Sequence, residues 1–233
     1  MKNRLYELDL LRGIGILLVV LYHACFDITM FHPTLPSLET VVPQIFVYIP
    51  AGMLIFVSGL SSSLGRRTLK RGLILLLCGG VITLVTYLMF PAQFIKFGIL
   101  HLLGGSMILI TLVKKINLPP MIWGILSLCL IALGIWFSGL IAPNNYLCFL
   151  GLTGHGFASL DHYPLLPWFG VFLAGYAVGK QWYLANTDGQ ITGPFVFAYR
   201  RDFFAFCGRH SLVLYLAHQP ILFAIFWIIG LVQ

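Results

Sequence analysis

Residues 9–27, DLLRGIGILLVVLYHACFD, form an apolar run that nevertheless contains four ionisable side chains. Arg12 and His23 lie inside the run, and Asp9 and Asp27 stand at its two ends. Apolar runs of about 20 residues are typical of transmembrane helices. An ionisable group inside such a helix normally faces a cavity or a partner, because exposing it to lipid is costly. The run therefore predicts a first transmembrane helix with one polar face.

The composition extends this prediction to the whole chain. Of 233 residues, 59% are hydrophobic and 9% are charged, whereas soluble domains carry about 25% charged residues. Mean hydropathy is +0.94. Candidate spans, judged by length and apolarity, are 9–31, 43–63, 69–89, 94–113, 119–140, 163–182 and 207–231. The sequence thus predicts an all-α fold, a polytopic transmembrane helical bundle of about seven to eight spans. We expect a single domain over residues 1–233 and no cleavable signal peptide.

The basic residues indicate an orientation. Lys2 and Arg4 precede the first span, and the loops after odd-numbered spans hold almost no Lys or Arg, apart from Lys96. The remaining basic residues follow even-numbered spans: Arg66, Arg67, Lys70, Arg71, Lys114, Lys115, Lys180, Arg200, Arg201 and Arg209. This distribution follows the positive-inside rule, so we expect a cytoplasmic N-terminus. The excess of 14 basic over 7 acidic residues is explained by orientation, and no nucleic-acid partner is expected.

The polar residues of the first span share one helical face. At 100° per residue, Arg12 and His23 lie about 20° apart around the helix and about 16 Å apart along it. Asp9 and Asp27 are three and four residues from these two, so each can contact its neighbour. Histidine is suited to proton transfer, and Asp27 is expected to orient its ring. Alternatively, Arg12 and Asp9 form an interfacial ion pair and His23 is a packing residue.

Three later segments carry further polar residues within or beside apolar runs. FGILHLLGGS contains His101, LDHYPLLPWFG lies at the entrance to the sixth span, and SLVLYLAHQP belongs to the last span. The substrate-binding candidates in these segments are His101, Asp161, His162, Trp168 and His218. The seven histidines show no ligand spacing such as HxxxH, so no metal site is expected.

The segment RLYELDLLRGIGILLVVLYHACFD resembles the opening of the heparan-alpha-glucosaminide N-acetyltransferase catalytic-domain family, part of the transmembrane acyltransferase superfamily. The superfamily signature, an arginine followed after ten residues by a histidine, is represented here by Arg12 and His23. FGILHLLG, DHYPLLPWFG and GRHSLVLYLAHQP resemble later blocks of the family, in the same order. The resemblance extends over residues 4–231.

This resemblance implies an acyl-CoA-dependent transmembrane acetyltransferase, which transfers an acetyl group from cytoplasmic acetyl-CoA to an amino sugar or other glycan acceptor across the membrane. Arg12, His23 and Asp27 are the implied catalytic residues. His23 either removes a proton from the acceptor or carries the acetyl group itself. His32 is a second candidate for this catalytic role. Acetyl-CoA is strongly anionic, and arginine binds phosphate well. The donor-binding candidates are Arg12, Arg66, Arg67, Arg71, Arg201 and Arg209.

The expected partners are the lipid bilayer, acetyl-CoA and the glycan or amino-sugar acceptor, with a homodimer left open. Because the chain lacks the large lumenal portion of the lysosomal family member, we expect a multi-pass protein of the bacterial inner (plasma) membrane that modifies an envelope glycan or another small acceptor. Buried Arg, His and Asp residues also occur in secondary transporters and proton-coupled carriers, which form the main alternative. A second alternative is a scaffold whose polar residues serve only helix packing.

Overall fold

A computed structural model describes residues 5–31, 44–65, 67–185, 191–194, 196–198, 200 and 202–231. Its eight α-helices, within those residues, are α1 (Tyr6–Phe31), α2 (Gln44–Leu64), α3 (Thr68–Met89), α4 (Ile99–Val113), α5 (Pro120–Ser138), α6 (Leu165–Trp182), α7 (Phe203–Arg209) and α8 (Ser211–Ile228). There are also a 3₁₀ turn, Cys148–Leu150, and two short strands, β1 (Leu184–Ala185) and β2 (Ile191–Thr192). Lys2, Arg4, His32, Arg66 and Arg201, which figure in the sequence predictions, lie outside the described residues.

Each of the seven predicted spans coincides with helical structure, which confirms the helical class. The last span, predicted as continuous from 207 to 231, is divided at His210 into α7 and α8. Among the described residues, four helices, α1, α3, α5 and α8, are long and apolar enough to cross a membrane, and the apolar parts of α2 and α4 are shorter. The protein is therefore an integral membrane protein. The count of seven to eight spans and the cytoplasmic N-terminus stay predictions.

The chain divides into two compact units, Met1–Leu54 with Asn186–Gln233, and Ile55–Ala185. The first half of α2 belongs to the first unit and its second half belongs to the other. The prediction of a single domain over 1–233 stays a prediction, and the two units are described separately below.

In the first unit, α1 packs against both α7 and α8. Two glycines allow α1 and α7 to approach at backbone distance. A Cβ at Gly13 would collide with the carbonyl oxygen of Phe204, and a Cβ at Gly208 would collide with the carbonyl oxygen of Asp9. Small residues at such contacts let transmembrane helices gain dispersion energy over a long interface. The polar end of α1 is thereby held directly against α7.

The apolar core of the first unit lies next to this contact. Ile16 and Val19 of α1 are buried together with Cys207 of α7, and Leu214 and Tyr215 of α8 pack against them. The turn at His210 is what allows α7 and α8 to present different faces to α1. The polar residues of α1 are consequently positioned by apolar packing on the same side of the helix.

In the second unit, α3 packs against α4, and α5 packs against α6. Glycine again sets the contact distance, because Cβ atoms at Gly59 and Gly175 would collide with the carbonyl oxygens of Phe172 and Phe56. Ser127 of α5 donates a hydrogen bond of 2.8 Å to the carbonyl oxygen of Gly170 in α6. This unit is thus built from closely packed helix pairs.

Candidate functional site

The N-terminal part of the polar face on α1 contains an arginine and a buried carboxylate. Arg12 Nη1 lies 3.9 Å from Asp9 Oδ1, and the Asp9 side chain is 3% exposed whereas that of Arg12 is 22% exposed. The pair forms as the i, i+3 spacing predicts. Because Arg12 keeps part of its surface open, its guanidinium can bind an anion while its Nη1 stays beside Asp9.

The second polar centre on α1 surrounds His23 and includes residues of α8. The His23 ring centroid lies 4.9 Å from that of His218, and the Gln219 amide Nε2 donates a hydrogen bond of 3.2 Å to His23 Nδ1. These contacts join residues almost 200 positions apart in the sequence. The structure thus brings together His23, a predicted catalytic residue, and His218, a predicted substrate-binding residue; their roles stay predictions.

Gln219 also links His23 to the acidic residue at the end of the face. Its side chain hydrogen bonds with the carboxylate of Asp27, which is only 2% exposed. The sequence predicted that Asp27 would hold the His23 ring directly, whereas the structure places Gln219 at the ring and Asp27 at Gln219. Gln219 belongs to the SLVLYLAHQP segment, but the sequence does not predict it as a site residue. An amide inside an apolar span, where every polar group needs a partner, was the signal that could have identified it.

Three buried polar atoms of the residues around His23 have no hydrogen-bond partner among the described residues. They are Asp27 Oδ2, His218 Nε2 and Gln219 Oε1. An unsatisfied buried polar atom costs about 1–3 kcal/mol, and such atoms in a folded protein call for a functional explanation. We define the His23 cluster as His23, Asp27, His218 and Gln219. Its unused hydrogen-bonding capacity makes it the candidate active site.

In the second unit, two other predicted substrate-binding residues stabilise the start of α4. The Ile99 N–H donates a hydrogen bond of 3.0 Å to Asp161 Oδ2, and the Gly98 N–H donates one of 3.3 Å to His101 Nδ1. The first N–H groups of a helix have no partner within the helix, so these side chains act as caps. His101 Nε2 also lies 3.4 Å from the hydroxyl of Thr83. Their role in binding substrate stays a prediction.

Replacement of Asp161 with alanine is therefore expected to destabilise the protein. Loss of an N-terminal cap costs about 1 kcal/mol, which corresponds to a decrease in Tm of about 2–4 °C for a chain of this size. The measurement is thermal unfolding of the purified protein in detergent. Asp161→Asn, which retains an oxygen acceptor, serves as the control, and its Tm is expected to decrease less. An unchanged Tm in Asp161→Ala would contradict the capping role.

The loop before α6 and the first turn of α6 carry the remaining substrate-binding candidates, His162 and Trp168. His162 Nε2 donates a hydrogen bond of 3.0 Å to the Cys148 carbonyl, and burial lowers the pKa of His162 although this hydrogen bond opposes the effect. The Trp168 ring lies 5.2 Å from that of Tyr163. Lys96, the exception to the charge pattern, donates a hydrogen bond of 2.6 Å to the Ala158 carbonyl. This loop is thus held by His162 from within and by Lys96 from the segment between α3 and α4.

The candidate donor-binding arginines fall in both units. Arg67 and Arg71 are exposed at the start of α3, in the second unit, whereas Arg12 and Arg209 belong to the first. The Arg209 guanidinium lies 5.8 Å from the centre of the Phe206 ring. In the first unit, therefore, Arg12 is the candidate that lies on the same helix as His23.

A comparison with known families gives a match over most of the chain. The family model for the catalytic region of heparan-alpha-glucosaminide N-acetyltransferase matches residues 4–220 of the 233-residue chain. No curated protein and no solved structure matches significantly. The match includes α1, where Arg12 and His23 lie, and reaches Pro220 in α8, so it spans every residue of the His23 cluster. The chain belongs to the heparan-alpha-glucosaminide N-acetyltransferase catalytic family, a family of membrane acetyltransferases.

Proposed function

We propose that this protein transfers the acetyl group of cytoplasmic acetyl-CoA to an amino sugar or other glycan acceptor on the far side of the membrane, and that the His23 cluster performs the transfer. The observation that carries the proposal is the cluster itself, in which two histidines, a carboxylate and an amide meet between apolar helices. Membership of an acetyltransferase family supports the reaction type. The family in general uses acetyl-CoA as donor.

The two polar centres of α1 suit the two ends of acetyl-CoA. The phosphates of this donor are separated from its thioester by the long pantetheine arm. Ten residues of continuous helix lie between Arg12 and His23, which places the two residues about 16 Å apart along the axis. We propose that the Arg12 guanidinium binds a phosphate group while the thioester reaches the His23 cluster. The orientation predicted from the basic residues places the Arg12 end of α1 on the cytoplasmic side, where acetyl-CoA is available.

The reaction breaks the thioester bond of acetyl-CoA and forms a bond from the acetyl carbon to the acceptor nitrogen or oxygen. The acceptor nitrogen or oxygen attacks the thioester carbonyl carbon, the C–S bond breaks, and the proton lost by the acceptor is finally taken up by the CoA thiolate. In the direct route the acceptor attacks acetyl-CoA, and in the two-step route a histidine first carries the acetyl group. Incubation with radiolabelled acetyl-CoA in the absence of acceptor distinguishes the two routes, because only the two-step route leaves labelled acetyl on the protein.

Binding of acetyl-CoA to the purified protein in detergent tests the donor site. Hydrogen bonds to charged groups contribute about 1.5–3 kcal/mol, so Arg12→Ala is expected to weaken binding roughly tenfold to a hundredfold. Dephospho-CoA is expected to bind more weakly than CoA, and an acetyl thioester without the nucleotide weakest of all. Isothermal titration gives each affinity.

Lys115→Ala is the matched control, because Lys115 is an exposed basic residue outside the candidate set. It is expected to bind acetyl-CoA as the wild type does. Folded wild-type protein that does not bind acetyl-CoA would contradict the proposal and would make the proton-coupled carrier the leading function.

A further inference from the structure

The hydrogen bonds of the His23 cluster fix where each histidine carries its proton, and the two rings differ. We infer that His218 is the base that accepts the acceptor's proton, and that His23 acts as a hydrogen-bond donor to the thioester carbonyl oxygen. This division of roles rests on the proposed acetyl transfer and deepens it. It also assigns His218 a role different from the substrate binding predicted from the sequence.

A hydrogen bond to a backbone carbonyl shows which ring nitrogen of His218 carries the proton. His218 Nδ1 hydrogen bonds with the Tyr215 carbonyl oxygen, one turn earlier in α8. A carbonyl oxygen can only accept, so Nδ1 must carry the proton. In a neutral imidazole the other nitrogen, Nε2, then holds a lone pair. This atom is buried and has no partner among the described residues.

The neutral form of His218 is the one that this site favours. The residue is 8% exposed and lies on a helix that is long and apolar enough to span a membrane. Charging a buried ring without a compensating partner is costly. The result is a neutral imidazole whose only unused atom is a proton-accepting nitrogen, which is the requirement for a general base.

A hydrogen bond from the Gln219 amide shows which ring nitrogen of His23 carries the proton. Gln219 Nε2 lies 3.2 Å from His23 Nδ1, and an amide N–H can only donate. His23 Nδ1 therefore supplies the lone pair, and Nε2 carries the proton. The Gln219 amide is itself oriented by Asp27, because the carboxylate accepts a hydrogen bond from its N–H group and would repel its oxygen. Asp27 thus acts on His23 through Gln219, and both are positioning residues.

These proton positions define a reaction sequence. As the acceptor attacks the thioester carbon, its proton moves to His218 Nε2, and the negative charge that develops on the carbonyl oxygen is stabilised by the N–H of His23 Nε2. Collapse of this intermediate breaks the C–S bond. His218 then returns its proton to the CoA thiolate, so both histidines regain their starting states. Donors directed at a developing oxyanion typically contribute about 10²–10³ in rate, and a general base about 10²–10⁴.

Amide substitutions test the assignment, since an amide nitrogen can replace either ring N–H but cannot serve as the base. His23→Gln retains a donor near the position of Nε2, and we expect activity within about tenfold of wild type. His218→Asn retains a donor to the Tyr215 carbonyl but has no basic nitrogen, and we expect a loss of at least about a hundredfold. Acetyl transfer from acetyl-CoA is measured with D-glucosamine and with hydroxylamine. Thermal unfolding and acetyl-CoA affinity verify that both variants fold, and His155→Asn, at an exposed loop position, is the control.

Hydroxylamine separates the two roles further, because it is a strong nucleophile in its neutral form and needs little help from a base. It is expected to restore turnover in His218→Asn to within about tenfold of wild type, but not in a His23 variant that lacks a donor, His23→Ala. If His23→Gln loses as much activity as His23→Ala, or if hydroxylamine rescues the His23 variant instead, the assignment is overturned while acetyl transfer still stands. Wild-type protein that binds no acetyl-CoA and acetylates neither nucleophile would overturn the proposed function, and the assignment with it.

Discussion

Replacement of His23 with alanine is expected to reduce acetyl transfer by about a thousandfold while acetyl-CoA still binds. His23 is the member of the cluster that contacts both His218 and Gln219, at 4.9 Å between ring centroids and 3.2 Å between nitrogen atoms. Alanine at this position removes the imidazole that we propose acts on the thioester, and it leaves the Gln219 N–H without its acceptor on His23. Initial rates at saturating acetyl-CoA, together with a binding isotherm, give the two quantities separately.

His155→Ala provides the control for this experiment, because His155 lies exposed in the loop before α6 and is not a member of the cluster. It is expected to retain wild-type rates. Wild-type activity in His23→Ala would show that the cluster does not perform the transfer. Loss of both activity and acetyl-CoA binding, in protein with an unchanged Tm, would instead assign His23 to the donor site.

The second large effect is expected from Gly208→Leu, which should destabilise the protein by about 3 kcal/mol or prevent its folding. A Cβ at position 208 would overlap the carbonyl oxygen of Asp9, a backbone atom that cannot move without displacing α1. Relief of the overlap requires α1 and α7 to separate, and the buried contact of Ile16 and Val19 with Cys207 would be lost. The decrease in Tm in detergent, and the yield of monodisperse protein, measure the effect.

Gly80→Leu is the matched control for the glycine substitution. Gly80 lies exposed in α3, and a Cβ built there has no atom within 4 Å, so a side chain can be added at this position without a collision at Cβ. It is expected to leave Tm within a few degrees of wild type. Equal Tm values for the two variants would mean that the close approach of α1 and α7 contributes little to stability.

The helices of this protein follow from the sequence because the signal is local. An apolar run of about 20 residues must satisfy its backbone hydrogen bonds internally when it enters a bilayer, and a helix is the structure that does so within one segment. The predicted spans therefore agree with the helices, and the polar face with Arg12 and His23 follows from the helical period. The break at His210 was not predicted, although Arg209, His210 and Ser211 interrupt the apolar run at this point.

The residue types of the site were also visible in the sequence, but their partners were not. Ionisable groups in an apolar run are conspicuous because they are costly there, so His23, Asp27 and His218 could be selected one at a time. Asp161 and His101 were selected for the same reason, yet their hydrogen bonds go to the first N–H groups of α4. A capping residue that comes from more than 60 positions away cannot be recognised from local sequence.

By itself, then, the sequence determined a helical membrane protein with a polar face on its first helix. Only the tertiary structure decided that Gln219, 196 residues away, contacts His23 and thereby determines which nitrogen carries the proton. Helical periodicity specifies the face on which a side chain lies, but the partner across that face depends on how closely two backbones approach. In this protein, glycines at positions 13 and 208 permit the approach of α1 and α7, and apolar packing of α8 beside them brings the two histidines together.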